Sequence, residues 1–448
     1  MNIDAIRNIY FLGIGGIGMS ALARYFVHKG ARVYGYDRTA TPITRALEEL
    51  GIGIHYQENP ELIPANIDLA VFTPAIQADS LELKEIKRRE IPVVKRAQLL
   101  AELTRGQFTI AVAGTHGKTT ITSLIAHLLH TAGIPVTAFI GGIANNFNSN
   151  IVLNDNSKVM IVEADEFDQS FLQLSPDIAV VSSMDADHLD IYRDHSTMNN
   201  AYQQFVDRIK ANGVLIKHQG LELVSENKSM YYGLLPGADI RAGNIHVTEG
   251  KFGFEIRTSV GENCGVRWLM PGRHNISNAI AAVAVGLQMQ IPLERLCAGL
   301  DSYLGVKRRF EFRINRPDCV FIDDYAHHPE ELRACIGAAR ELYPGKTITG
   351  IFQPHLFSRT RDFIDGFAQS LALLDELLLL EIYPARELPI SGVNSAELLR
   401  RIPMQRKRLI GRSEIVEQVV RLKPEVLLTL GAGDIDQLVE PIAIALNS

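Results

Sequence analysis

Short unbroken apolar runs recur along the chain and alternate with stretches of helical composition. Residues 8–13 form the first run, end in a glycine turn, and lead into a helical segment at 21–28. A second run at 31–36 stops at Asp37, and further runs at 68–73 and 91–94 are again separated by helical stretches. Strand and helix in alternation is the pattern of a parallel sheet covered by helices. Residues 1–105 are therefore expected to form one doubly wound domain.

The pattern restarts twice. An apolar strand at 109–113 runs straight into a glycine-rich turn and a helical segment at 121–132. That unit continues through strands at 159–162 and 178–181, short strands between 231 and 268, and an alanine-rich helix at 275–288. After Gly305 come a strand at 320–323, a helix at 329–342, a strand at 347–352, a helix at 361–373, and strands at 376–381 and 426–430. The expected fold class is α/β in three domains, 1–105, 106–304 and 305–448, with no internal repeat or long linker.

Composition narrows the function classes. The 45 basic and 51 acidic residues give a net charge of -6 with no long basic run, so nucleic acid is not expected as a partner. Cys264, Cys297, Cys319 and Cys335 have no metal-site spacing and read as reduced thiols. The N-terminus lacks a basic start and cleavage site, and no apolar run is long enough to span a membrane, so a cytoplasmic protein is expected.

Two glycine-rich turns stand at strand ends, each able to direct backbone N–H groups at an anion. Gly13-Ile14-Gly15-Gly16-Ile17-Gly18 fits GxGxxG, and Asp37 closes the next strand as in dinucleotide-binding folds. NAD, FAD and UDP-sugars all carry a pyrophosphate that suits such a turn, so the ligand stays open at this point. In Gly114-Thr115-His116-Gly117-Lys118-Thr119-Thr120, Lys118 supplies positive charge at a transferred phosphate and Thr119 a hydroxyl for magnesium. The usual GxxxxGK[ST] pattern has a glycine where Val112 stands.

Acids and histidines follow other strands. Glu163-Ala164-Asp165-Glu166 closes the strand 159–162, where Glu163 suits a magnesium ligand and a solvated acidic turn is the plainer alternative. Asp185-Ala186-Asp187-His188 suits a second metal position or a structural role. Asn275 and Asn278 open a helix with groups for an adenine edge or for capping. Asp323, Asp324, His327 and His328 end one strand, while His355, Arg359 and Arg361 follow another and suit carboxylate or phosphate groups.

Assembled, these residues make the chain resemble the Mur ligases over essentially its whole length, and within them the branch that adds L-alanine. GIGGIGMSALA (13–23), GTHGKTT (114–120), EADE (163–166), ADH (186–188), GRHNISNAIAA (272–282), KRRFE (307–311), DDYAHH (323–328), FQPH (352–355) and GAGD (431–434) look like that family's motifs in its order. The resemblance implies a Rossmann-like UDP-binding domain, a central P-loop ATPase-type domain and a C-terminal Rossmann-like domain. It implies an ATP- and Mg2+-dependent ligase that joins L-alanine to UDP-N-acetylmuramate through an acyl phosphate in peptidoglycan precursor synthesis, as a monomer or homodimer.

Residue by residue, the resemblance implies that Gly15, Gly16, Ile17 and Gly18, with Asp37 and Thr73, hold the UDP-sugar. Gly114, Thr115, Gly117, Lys118, Thr119 and Thr120 would hold ATP phosphates, with Thr119, Glu163 and His188 on the metal and Lys118, Glu163 and His188 carrying the catalysis. Asn275 and Asn278 would lie near adenine, Arg309, Asp324 and His328 would reach the nucleotide from the third domain, and His355 and Arg359 would take the amino acid or the muramyl carboxylate. A hinge near residue 305 is expected to bring the partners together.

Two positions depart from relatives: the stretch 201–205 has no lysine, which suits the alanine-adding branch, and Leu356 stands where many relatives are basic. Alternatives are a ligase that attaches a tripeptide to UDP-N-acetylmuramate, a nicotinamide-dependent oxidoreductase, and a nucleotide switch that hydrolyses ATP without ligation. The oxidoreductase leaves the second phosphate loop and Glu163 unexplained.

Overall fold

The computed structural model describes residues 2–185, 195–248, 250–385 and 387–447. The chain divides into two compact units, Met1–Ile240 with Ile280–Gly299, and Arg241–Ala279 with Leu300–Ser448. The expected central segment 106–304 is thus shared between them.

In the first unit, β1 (Asn8–Leu12), β2 (Arg32–Tyr36), β3 (Gly53–His55), β4 (Leu69–Phe72) and β5 (Val93–Lys95) form a parallel sheet in the order β3-β2-β1-β4-β5. Strand order reverses between β1 and β4, and such a switch point opens a crevice beyond the carboxyl ends of the strands. Helix α1 (Ile17–His28) leaves from that point, earlier than residue 21, because extended Gly16 already serves as its N-cap. Helices α2 (Pro42–Glu48), α3 (Leu81–Arg88) and α4 (Arg96–Thr104) complete the layer.

A second set of strands in this unit comprises β6 (Phe108–Ala113), β7 (Val136–Ala144), β8 (Ser149–Val152), β9 (Val159–Glu163), β10 (Ile178–Val181), β11 (Val214–His218) and β12 (Lys228–Gly233), in the order β12-β11-β10-β6-β9-β7-β8. Only β8 runs antiparallel to its neighbour here. Gly141 and Gly142 interrupt the apolar run of β7, so its pattern does not announce a strand. Helix α5 (Lys118–Thr131) follows β6.

The segment boundary at 105/106 is not a gap in packing. One core cluster contains Ile9 and Phe11 of β1, Phe26 of α1, Ala111 of β6, Phe139 of β7 and Val162 of β9. Phe26 lies 6.5 Å from the Phe11 ring on one side of α1, and Tyr25 lies 5.8 Å from Phe139 on the other. Buried Asn150 donates from Nδ2 to the Ile17 carbonyl at 2.6 Å and to Ser20 Oγ at 2.8 Å, tying α1 to β8.

In the second unit, β13 (Ile240–Thr248) precedes the antiparallel pair β14 (Lys251–Thr258) and β15 (Asn263–Trp268), and buried Trp268 stacks on Tyr303 with centroids 6.1 Å apart. Another sheet holds β16 (Glu311–Asn315), β17 (Val320–Asp324), β18 (Ile348–Phe352), β19 (Glu376–Leu379), β20 (Lys407–Leu409) and β21 (Val426–Leu430) in the order β16-β17-β21-β18-β19-β20. The helix expected at 361–373 is instead two, Phe357–Asp362 and Ile364–Leu371. Phe363 leaves the helical region at φ -118°, and its ring packs edge-on against His328 at 4.8 Å.

Because Phe26 is 1% exposed and sits in the core shared by both sheets of the first unit, Phe26→Ala is expected to cost about 3–5 kcal/mol. Hydrogen exchange should show β1 and β6 losing protection together; loss confined to β1 would contradict a shared core.

Candidate active site

The loop after β6 cannot be built from ordinary residues. Gly114 has φ +135°, and a Cβ there would stand 2.9 Å from the Ser183 amide nitrogen; Gly117 has φ +85° and caps α5. With the helix starting at Lys118, the first-turn N–H groups face outward, unsatisfied by the helix itself. The segment after β10 pins the loop: Thr115 N donates to the Ser183 carbonyl at 3.2 Å, Thr115 Oγ1 to the Asp185 carbonyl at 2.9 Å, and His116 N to Ser183 Oγ at 2.8 Å. Ser182 Oγ donates to the His116 carbonyl. Neither serine is part of a motif, and only the pairing of β10 with β6 reveals their part.

Lys118 Nζ donates to the Gly114 carbonyl and to both carboxylate oxygens of buried Glu166, each at 2.7 Å. Burial pushes its pKa down, but the carboxylates of Glu166, Asp165 and Glu163 outweigh that, leaving it above the ordinary lysine value. The ammonium is therefore held charged at the mouth of the loop. Glu163, at the end of β9, accepts from Thr119 Oγ1 at 3.2 Å and from Gly141 N at 2.5 Å. A Cβ on Gly141 would meet Glu163 Oε2 at 2.5 Å, so that glycine is needed for the approach.

The Thr119 hydroxyl and the Glu163 carboxylate make a hard oxygen pair that fits a small divalent cation. Among the described residues no group of three His, Cys, Asp or Glu side chains is placed to hold a metal. His188, the third expected ligand, lies outside the described residues.

The first glycine loop and the segment that begins at Glu163 reach one cleft. It has a volume of about 340 Å³, and its lining includes Gly16, Ile17, Gly18, Thr73, Arg96 and Glu163. Gly15 and Asp37 are absent from the lining: Asp37 accepts from Gly15 N at 2.8 Å and from Thr39 N at 3.1 Å, so its carboxylate pins the first loop. Arg96 at the start of α4 belongs to no motif yet faces the cleft.

In the second unit the expected residues have structural partners. Asn275 Nδ2 donates to the Pro271 carbonyl at 2.7 Å, and Asn278 Nδ2 to Asn275 Oδ1 at 3.3 Å. Asp324 accepts from Phe310 N at 2.7 Å and Ala326 N at 2.8 Å, while Arg309 lies over the Tyr325 ring at 5.1 Å. His328 caps the helix Pro329–Leu342, accepting from Glu330 N at 3.3 Å. His355 stacks on Tyr383 at 5.7 Å, and Arg359 is buried. Gln353 donates to Asp434 Oδ1 at 2.7 Å, which joins the FQPH and GAGD strings. Leu356 has φ +70° and precedes the helix Phe357–Asp362.

Residues 8–108 match the family described as Mur ligase family, catalytic domain; 112–286 match Mur ligase middle domain; and 308–433 match Mur ligase, glutamate ligase domain. The chain is 45% identical over 443 residues to the UDP-N-acetylmuramate–L-alanine ligase of Flavobacterium psychrophilum, with 98% of each chain covered. It is 44% identical over 451 residues to that of Christiangramia forsetii, with 99% of each covered. Among solved structures, the UDP-N-acetylmuramate-alanine ligase MurC of Thermotoga maritima matches with a TM-score of 0.85 at 27% identity, covering 98% of this chain and 99% of that one. A murein peptide ligase of Psychrobacter arcticus shares the fold at a TM-score of 0.73 and 22% identity, with 99% of each covered.

Burial pushes the Asp324 carboxyl up to about 6, against the pull of Arg309 and the two N–H donors. Between the ordinary value and that one, the folded chain keeps a proton that the unfolded chain releases. Stability from this group is therefore full below the unfolded value and is lost as pH rises through about 6. Urea unfolding of the second unit should lose roughly 1–3 kcal/mol more between acid and neutral pH in the wild type than in Asp324→Asn. Equal pH slopes in the two would remove this assignment.

Proposed function

Because the chain belongs to the Mur ligase family, we propose that it joins L-alanine to the lactyl carboxylate of UDP-N-acetylmuramate, with ATP cleaved to ADP and phosphate, in the synthesis of peptidoglycan precursors. The observation that carries this reading is the shared cleft, where the glycine turn of β1 and the carboxylate beside the phosphate loop meet. A sugar nucleotide held at Gly16 and Gly18 would share the cleft with Glu163, whose carboxylate accepts from Thr119 of the phosphate loop. Neither an oxidoreductase nor a hydrolytic switch needs a glycine turn of this kind on one cleft with a carboxylate that is hydrogen-bonded to a phosphate loop.

The chemistry has two displacements. A carboxylate oxygen attacks the γ-phosphorus and the bond to the β-phosphate oxygen breaks, releasing ADP; the deprotonated amine of alanine then attacks the acyl carbon and phosphate leaves. The N–H groups at the start of α5 and the Lys118 ammonium counter the negative charge that builds on the transferred phosphoryl group. For Lys118 to do so it must turn from Glu166 toward the nucleotide, and the carboxylates of Glu166, Asp165 and Glu163 keep it charged meanwhile. Thr119 and Glu163, with His188, are the residues that would hold magnesium, which when bound would neutralise phosphate oxygens. The amine must arrive without its proton, and excluding water protects the activated acyl group.

The remaining assignments rest on the resemblance: Asn275 and Asn278 for adenine, Arg309, Asp324 and His328 for the nucleotide, and His355 and Arg359 for the amino acid or muramyl carboxylate. The domain limits 1–105, 106–304 and 305–448 rest on the restarting strand and helix pattern, the cytoplasmic location on the absence of a signal-like start or membrane-length apolar run in the sequence, and the monomeric or homodimeric state on the resemblance. No described helix is long and apolar enough to cross a membrane.

Phosphate release from ATP and magnesium should require both UDP-N-acetylmuramate and an amino acid, with L-alanine preferred over glycine, L-serine and the tripeptide. Preference for the tripeptide would move the chain to the peptide-ligase branch, and release independent of the sugar nucleotide would refute ligation. Lys118→Ala is expected to lower kcat by roughly a hundredfold or more, with UDP-N-acetylmuramate affinity changed less than about threefold.

A further inference from the structure

Arg96 occupies a position that packing alone does not account for. It is the first residue of α4, where a cation opposes the positive end of the helix dipole. Its guanidinium carries five N–H donors, yet its contact among the described residues is a single one, to Asp165 Oδ2 at a long 3.4 Å. The side chain is 27% exposed, so most of it has left water without gaining a close bidentate carboxylate. It lines the cleft, and glycine at 18 admits it: a Cβ there would stand 2.8 Å from Arg96 Nη1. The free donors thus lie over the N-terminal turn of α1.

We infer that Arg96 reads the sugar nucleotide, exchanging its loose contact with Asp165 for an anionic group of that substrate, the diphosphate or the lactyl carboxylate. The inference rests on the assignment of a UDP-sugar to this cleft. Both groups are oxyanions that a planar guanidinium binds with two parallel N–H donors. Asp165 competes for the same donors, and it belongs to the segment that begins with Glu163, so arrival of the sugar nucleotide loosens one tie on that segment. The two side chains therefore act on affinity with opposite signs.

Calorimetric titration of the full chain without ATP separates these effects, with UDP-N-acetylmuramate and with UDP-N-acetylglucosamine, which has the diphosphate and lacks the lactyl carboxylate. Arg96→Ala is expected to weaken binding by roughly tenfold to a hundredfold. Arg96→Lys, which keeps the charge and loses the fork, should weaken it by roughly fivefold. Asp165→Asn keeps the oxygen that accepts from Phe167 N at 3.1 Å and should tighten binding by about threefold.

Equal losses for both sugar nucleotides place the diphosphate on Arg96, and a loss confined to UDP-N-acetylmuramate places the lactyl carboxylate there; either supports the exchange. Unchanged affinity in both Arg96 variants, or weakening by Asp165→Asn as large as that by Arg96→Ala, would overturn it in favour of a structural ion pair. Should the wild type bind neither sugar nucleotide, the cleft assignment itself falls, whereas wild-type binding indifferent to Arg96 removes this inference alone.

Discussion

Parallel pairing of β6 with β9 on one side and β10 on the other is the constraint from which the candidate active site follows. Parallel strands end at the same edge of a sheet, so whatever follows each of the three is delivered to one place. The register aligns Val112 with Glu163 and Ala113 with Val181. The phosphate loop, the EADE string and the Ser182–Ser183 clamp therefore meet although they are far apart in sequence. The glycines then decide how closely they meet: Gly114 admits the serine backbone, and Gly141 admits the Glu163 carboxylate.

Electrostatics at that edge holds a charged lysine beside the loop. A buried ammonium without partners would lose its proton or unfold the loop. Lys118 avoids both by donating to Glu166 and to the Gly114 carbonyl. Desolvating a charge pair is costly and its Coulombic gain rarely exceeds that cost by much. Under the proposed function such a pair is suited to exchange, because a nucleotide would offer the same lysine more negative charge.

The first unit also shows why its two sheets work together. α1 is sandwiched between them through Phe26, Tyr25 and Asn150. The helix whose N-terminus bears the first glycine loop is therefore packed against β7 and β8, and Phe139, Ile140 and Gly141 of β7 line the same cleft as that loop. In the second unit, the polar residues of the motifs serve local structure: Asp324 holds two backbone N–H groups, His328 caps a helix, and Gln353 joins two strand-end strings.

The sequence by itself determined the fold class, both glycine loops and the family. These depend on local chemistry: apolar runs long enough for buried strands, glycines where the backbone turns left-handed, and motif strings whose spacing is read along the chain. Tertiary structure alone decided who meets whom. The position of Asp37 at the end of the second strand was legible, but that its carboxylate accepts from Gly15 N follows only from β1 and β2 ending side by side. Arg96, Ser182, Ser183 and Gly141 carry no motif, and their parts emerge only when a helix start or a neighbouring strand end is folded against the loops. The break at Phe363 was likewise invisible, since a helical pattern cannot show that its ring will meet His328, distant in sequence. Proximity between distant segments is a property of strand order and register, which no local pattern encodes.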